Sequence, residues 1–178
     1  MGFLWRVPLA GGTPERVELA GDQAGFPAVS RAGNQLAYSR FGHGDIWKFE
    51  AGKPREDFLY SSLDDSNPQF SPDGKKIAFE SGRLGKQQLW VADADGTNRK
   101  PLEPGGKGAR GSARWSPDSR SIVFDGQEED GSRAIYVVDA DGGQPRFLTS
   151  PASTPSWSHD GKWIYFTRQG VSGRSVPK

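Results

Sequence analysis

The sequence predicts an all-β chain built from repeated four-stranded antiparallel units, and three observations carry that reading. A Ser-Pro-Asp-Gly-Lys pattern and its degraded copies recur along the chain, marked by Ser30, Ser71, Ser116 and Ser158 at spacings of 41, 45 and 42 residues. A second pattern, an apolar residue followed by Trp or Tyr, alternates with the first as Leu4-Trp5-Arg6-Val7, Ile46-Trp47-Lys48-Phe49, Leu89-Trp90-Val91-Ala92 and Ile135-Tyr136-Val137-Val138. No window shows a sustained helical apolar stripe, and Gly and Pro punctuate the chain every few residues. Self-similarity at about 40–45 residues with four strand-like runs per unit is the pattern of a β-propeller blade.

The best copy of the repeat justifies each element in order. Residues 68–71 form a short apolar first strand. Ser71-Pro72-Asp73-Gly74 follows as a tight turn, in which proline presets φ and glycine accepts positive φ. Residues 76–80 form a buried second strand, and 81–87 a polar loop. The third strand covers 88–92 and ends at Asp93-Ala94-Asp95-Gly96, where an Asp-Gly step between apolar runs signals a hairpin. A short polar fourth strand over 98–102 closes the unit, and its charge resists unwanted edge pairing.

The chain starts and stops in the middle of such a unit. The first elements are a third strand over 4–7 and a fourth over 15–19; the last are a first strand over 155–158 and a second over 162–167. The expected layout is one propeller domain over 1–178. Residues 1–20 are the second half of a split blade, 21–62, 63–107 and 108–150 are whole blades, 151–168 are the first half of the split blade, and 169–178 a tail. Two closures follow. One chain closes a four-bladed ring, or its ends pair with a second chain or with further sequence. The large first-strand aromatics Phe70, Trp115 and Trp157 favour a wider ring, and so either a homodimer sharing its terminal strands or a fragment of a larger propeller.

The composition narrows the function. Six Trp and ten Phe in 178 residues supply bulk for packing between blades. Net charge is +1, from 23 basic and 22 acidic residues, which makes no electrostatic case for nucleic acid or an anionic membrane. There is no cysteine for a disulfide, a thiolate nucleophile or a zinc site. The first residues have neither the charged start nor the apolar run of a signal peptide, and no stretch is long enough to span a membrane.

The search for chemistry predicts no catalytic residue, no cofactor and no metal. His159 sits where proline sits in the repeated turn, and His43 lies in a loop. There is no Gly-x-Ser-x-Gly elbow to hold a nucleophile. Asp93-Ala94-Asp95-Gly96 and Asp139-Ala140-Asp141-Gly142 lack the third acidic ligand, the later Glu and the flanking helices of a calcium loop. The glycine-rich stretch 105–112 has no Gly-Lys-Ser/Thr and no helix after it, so it is not a phosphate loop. It joins one blade to the next. There Lys107, Arg110 and Arg114 would make the channel mouth basic and suited to a carboxylate or an acidic peptide.

The motif Pro-x-Phe/Trp-Ser-Pro-Asp-Gly-Lys-x-Ile-Ala/Val-Phe, followed by Leu/Ile-Trp/Tyr-Val-x-Asp-x-Asp-Gly, resembles the WD-like repeat of the TolB propellers over nearly the whole chain. It is also similar to propellers of prolyl-oligopeptidase-type peptidases and of bacterial sensor-regulators that carry a winged helix. The opening Leu4-Trp5-Arg6-Val7-Pro8-Leu9-Ala10-Gly11-Gly12 looks most like the last group. The resemblance implies a periplasmic, non-enzymatic scaffold that binds a protein or peptide around its channel. Two alternatives stay open: the substrate-gating propeller of a serine peptidase lacking its hydrolase domain, and a purely structural, self-assembling repeat protein.

Overall fold

A computed structural model describes residues 2–42, 44–50, 52–102 and 113–168. Strands β1 (Trp5–Arg6) and β2 (Glu15–Arg16) pair as a two-stranded sheet. Three four-stranded antiparallel sheets follow in chain order. The first blade is β3 (Ala24–Val29), β4 (Gln35–Arg40), β5 (Asp45–Glu50) and β6 (Glu56–Leu59). The second is β7 (Asp65–Phe70), β8 (Lys76–Ser81), β9 (Gln88–Asp93) and β10 (Lys100–Pro101). The third is β11 (Arg114–Trp115), β12 (Ser121–Gln127), β13 (Arg133–Asp139) and β14 (Arg146–Thr149). A last two-stranded sheet pairs β15 (Ser153–Trp157) with β16 (Ile164–Thr167). First strands of successive blades pack on one another, which sets them at the inside of the array.

Three of the differences from the sequence reading have a local physical cause. The strand expected over 15–19 stops at Arg16, and Glu18–Ala20 turns as a single 3-10 element that drops Ala20 into the core beside Leu4 and Tyr38. The fourth strand of the second blade starts at Lys100 rather than 98. Asn98 takes a left-handed φ of 52° and donates from Nδ2 to the Asp93 carboxylate at 2.6 Å, which prolongs the turn. The first strand of that blade begins at Asp65 rather than 68, and it reaches that length through a bulge between Ser66 and Gln69.

The repeated turn is held by its own side chains. Ser71 Oγ donates to Asp73 Oδ1 at 2.6 Å, the Lys75 amide donates to the same oxygen at 3.1 Å, and the Lys76 amide donates to Ser71 Oγ at 2.9 Å. Ser116 with Asp118, and Ser158 with Asp160, repeat the contact at 2.6 Å. In the worn copy Ala32 stands where the aspartate would be, and Asn34 Oδ1 accepts from Ser30 Oγ at 3.1 Å instead. The serine hydroxyl is the main influence that holds the carboxyls of Asp73, Asp118 and Asp160 below the ordinary carboxylate range. A depressed native pKa contributes stability above the unfolded pKa of about 3.9 and loses it as pH falls through the native values. Asn at all three positions is therefore expected to lower stability at neutral pH and to flatten its decline below about pH 4. Urea unfolding across a pH series checks this; an unchanged acid slope would remove these carboxylates from the account.

The cores lie between blades rather than within them. Ala78, Leu89, Val91 and Leu102 of the second blade pack against Trp115, Ile122, Phe124 and Tyr136 of the third. Ile46, Phe58 and Leu59 of the first meet Ile77, Phe79 and Trp90 of the second. Each fully buried side chain of this size contributes about 1.5–3 kcal/mol of burial free energy. Tryptophans also bond from blade to blade: Trp115 Nε1 donates to Gln69 O at 2.9 Å, and Trp157 Nε1 to Arg114 O at 3.1 Å.

Candidate functional site

The antiparallel meander sorts the connections onto two faces. First-to-second and third-to-fourth turns share one face, where neighbours touch: Arg31 Nη1 donates to Pro72 O at 3.2 Å, and the Asp73 amide to Ser119 Oγ at 3.0 Å. The hydrogen bonds of these turns are spent on the turns themselves and on their neighbours. Second-to-third loops and blade-to-blade connections share the opposite face, where the Asp65 amide donates to Gly44 O at 2.6 Å and the Gly82 amide to Asp64 O at 3.0 Å.

On that opposite face each bulged first strand aims one residue out of line. Phe26, Asn67 and Thr154 occupy the same repeat position with φ of 48°, 53° and 51°, each immediately before a proline. Proline disfavours the right-handed helical region for the residue before it, and a bulge re-aims a side chain at a sheet's inner edge. A left-handed φ in a bulky residue such as Phe26 is strained, and strain of this kind concentrates at functional positions. Asn67 is fixed by two bonds: its amide donates to Ser39 Oγ at 3.0 Å and its Nδ2 to Glu80 Oε2 at 3.0 Å.

Phe26 and Phe41 form an exposed aromatic pair, 48% and 46% accessible, edge to face with centroids 5.6 Å apart. Gly25 permits it, because a Cβ there would stand 2.6 Å from the Phe41 ring. The pair borders a cleft of about 340 Å³ between the first and second blades, which Ser39, Arg40, Asp64, Ser66 and Gln87 also line. Arg40 spans the wall, 3.6 Å from Asp22 and over the Trp47 ring at 5.1 Å. Asp65, which also lines the cleft, belongs to an ion pair. The buried Asp65 carboxylate meets Arg83 Nη2 at 2.6 Å, and the Arg83 guanidinium lies 4.7 Å over Trp90. A smaller cleft of about 230 Å³, lined in part by Arg133, Ala152, Ser153 and Thr167, sits on the same face beside the third blade.

The sequence-predicted basic cluster divides. Lys107 and Arg110 lie outside the described residues, as does His43. Arg114 is exposed on β11; its Nη1 donates to Ala113 O at 2.7 Å, and it is not among the residues lining the cleft. Asp93 accepts from Asn98 and Asp95 from Thr97, so the Asp-Ala-Asp-Gly segment serves its hairpin. Among the described residues no group of three or more His, Asp or Glu side chains is placed to hold a metal ion, and no helix is long and apolar enough to cross a membrane. Sequence reasoning missed Phe26, Phe41 and Asn67. The available signal was the x-Pro step inside three first strands, Phe26-Pro27, Asn67-Pro68 and Thr154-Pro155.

No family model matches the chain. The structure superposes on TolB from Acinetobacter baumannii with a TM-score of 0.77 at 24% identity, over 96% of this chain and 44% of that one. An Agrobacterium tumefaciens structure assigned to TolB gives a TM-score of 0.76 at 22% identity, over 93% of this chain and 66% of that one. The fold is that of a TolB-like β-propeller. The same propeller architecture extends to a chain of a nidogen/laminin complex, with a TM-score of 0.71 at 17% identity over 92% of this chain and 62% of that one. By sequence, the propeller is 28% identical over 120 residues to the uncharacterized peptidase YuxL of Bacillus subtilis, and 30% identical over 99 residues to a Tricorn-like protease C-terminal subunit of Sulfurisphaera tokodaii. It spans 18% and 11% of those two proteins. The uncharacterized protein Atu1656 of Agrobacterium fabrum is 29% identical over 118 residues, and the propeller spans 39% of it.

Proposed function

We propose that this propeller is a non-enzymatic peptide-binding module, and that it seats an aromatic or large aliphatic side chain of an extended peptide in the cleft at Phe26 and Phe41. The observation that carries the reading is the exposed edge-to-face pair beside a polar-walled cleft, on the face where the first strands bulge. Apolar anchors with a few placed polar groups are what peptide and small-ligand sites present. Lys107 and Arg110, which by chain order belong to the connection between β10 and β11, join Arg114 as basic contacts for an acidic residue of the same partner. Charge balance gives nucleic acid no part in this reading.

A second reading has specific support in the two protease-related relatives: the chain would be the gating propeller of a longer peptidase. Either reading brings a peptide to the propeller. They part on turnover, which requires catalytic groups beyond the propeller.

Selection of a random peptide display library on the immobilised chain tests the proposal. Enriched peptides are expected to carry an aromatic or large aliphatic residue, to be recovered uncut, and to bind a Phe26→Ala/Phe41→Ala variant at least about 10-fold more weakly. No enrichment, or binding indifferent to the double substitution, would overturn the site. Cleavage of the enriched peptides would overturn the non-enzymatic reading.

A further inference from the structure

The charges that line the aromatic cleft do not cancel. Three ionisable side chains face it: Arg40, Asp64 and Asp65. Arg40 is engaged by the protein: its Nη2 lies 3.6 Å from Asp22, its guanidinium stands over Trp47, and its side chain is 19% exposed. Asp65 is engaged too, fully buried against Arg83 at 2.6 Å. Asp64 is exposed, and among the described residues its carboxylate takes part in no hydrogen bond or ion pair. Its backbone is nevertheless pinned on both sides. The Asp64 carbonyl accepts the Gly82 amide at 3.0 Å within the second blade, and the next amide, that of Asp65, donates to Gly44 O at 2.6 Å on the first. Gly44 makes the approach possible: its φ is 66°, and a Cβ there would stand 2.5 Å from Asp64 Oδ1.

We propose that the peptide bound in this cleft carries a lysine or arginine next to its aromatic or aliphatic anchor, and that Asp64 receives that charge while Phe26 and Phe41 hold the anchor. The inference rests on the peptide reading of the same cleft and adds its charge preference. Two features point to a cation. The one cleft-lining charge left without a partner among the described residues is negative, and it is held in place before any ligand arrives. The exposed Phe26–Phe41 pair beside it offers aromatic faces, whose quadrupoles also attract cations. An anionic flank would meet the Asp64 carboxylate, and Arg40 stands already neutralised by Asp22. The contact is exposed, so its effect is modest and is screened by salt.

Capped tripeptides with the same flank on both sides of the anchor test this without assuming a chain direction. N-acetyl-Lys-Phe-Lys amide, its norleucine counterpart and its glutamate counterpart are titrated into the chain at low salt and followed by NMR. The lysine peptide is expected to bind about 5- to 10-fold more tightly than the glutamate peptide, with norleucine between them. In Asp64→Asn the lysine-to-glutamate ratio is expected to fall to about 2-fold or less, and in Asp64→Lys to invert. Raising the salt shrinks the ratio in the unaltered chain. Equal binding of the three peptides, or a ratio unmoved by Asp64→Asn, would overturn the charge preference and leave the aromatic anchor standing. Binding of none of them would overturn the peptide reading and this inference with it.

Discussion

Replacing Trp115 by alanine is expected to destabilise the chain by about 3–5 kcal/mol. The indole is 8% exposed and fills the space between the second and third blades, against Ala78, Leu89 and Val91 on one side and Ile122 and Phe124 on the other. Its Nε1 also donates to Gln69 O at 2.9 Å, so truncation opens a cavity and strips a carbonyl of its partner. Trp115→Phe keeps most of the burial and loses the bond, which costs about 0.5–1.5 kcal/mol. Urea unfolding of the two variants separates packing from bonding; an unchanged midpoint in Trp115→Ala would mean that blade contacts do not set stability.

Replacing Arg83 by alanine is expected to cost a similar amount, about 3–5 kcal/mol, because it leaves a buried carboxylate unpaired. Asp65 has no exposed side-chain surface, and Arg83 Nη2 is 2.6 Å from it. The guanidinium also donates through Nε to Ser81 Oγ at 2.8 Å and stacks over Trp90. Burial pushes the Asp65 carboxyl above the ordinary carboxylate range, against the pull of Ser81 and Arg83. An acid with a raised native pKa contributes stability below its unfolded pKa and loses it as pH rises through the native value. Without Arg83 the native pKa climbs further. The deficit of Arg83→Ala is therefore largest at neutral pH and shrinks as pH falls. Asp65→Asn in the same chain is expected to recover part of the loss. A deficit independent of pH would show that stacking on Trp90, and not the ion pair, is what Arg83 contributes.

The repeat was legible because its information is local. Ser71, Asp73 and Gly74 satisfy one another within six residues of chain, so the turn can be read from sequence alone. The alternation of apolar runs likewise fixed which strands are second and third. The first strands were harder. Their bulges depend on a left-handed residue before proline and on a partner strand that sequence does not display, so the apolar pattern alone starts the strand at 68 and leaves Asn67 outside it. Phe26 and Phe41 come together only because β3 and the end of β4 are paired and Gly25 leaves room. The bonds from Trp115 and Trp157 to the preceding blade cross more than forty residues, and no local pattern announces them. The charge of Arg114 is legible in the sequence, but the bond its carbonyl accepts from Trp157 is not.

The peptide face can be tested directly by glycine-selective nitrogen labelling and titration with N-acetyl-phenylalanine amide. Gly25, Gly42 and Gly44 border the aromatic cleft, whereas Gly33, Gly74 and Gly161 sit in the turns of the opposite face. Amide shifts confined to the first three, and abolished by Phe26→Ala/Phe41→Ala, are the predicted result. Shifts at Gly33, Gly74 or Gly161, or none at saturating ligand, would contradict it.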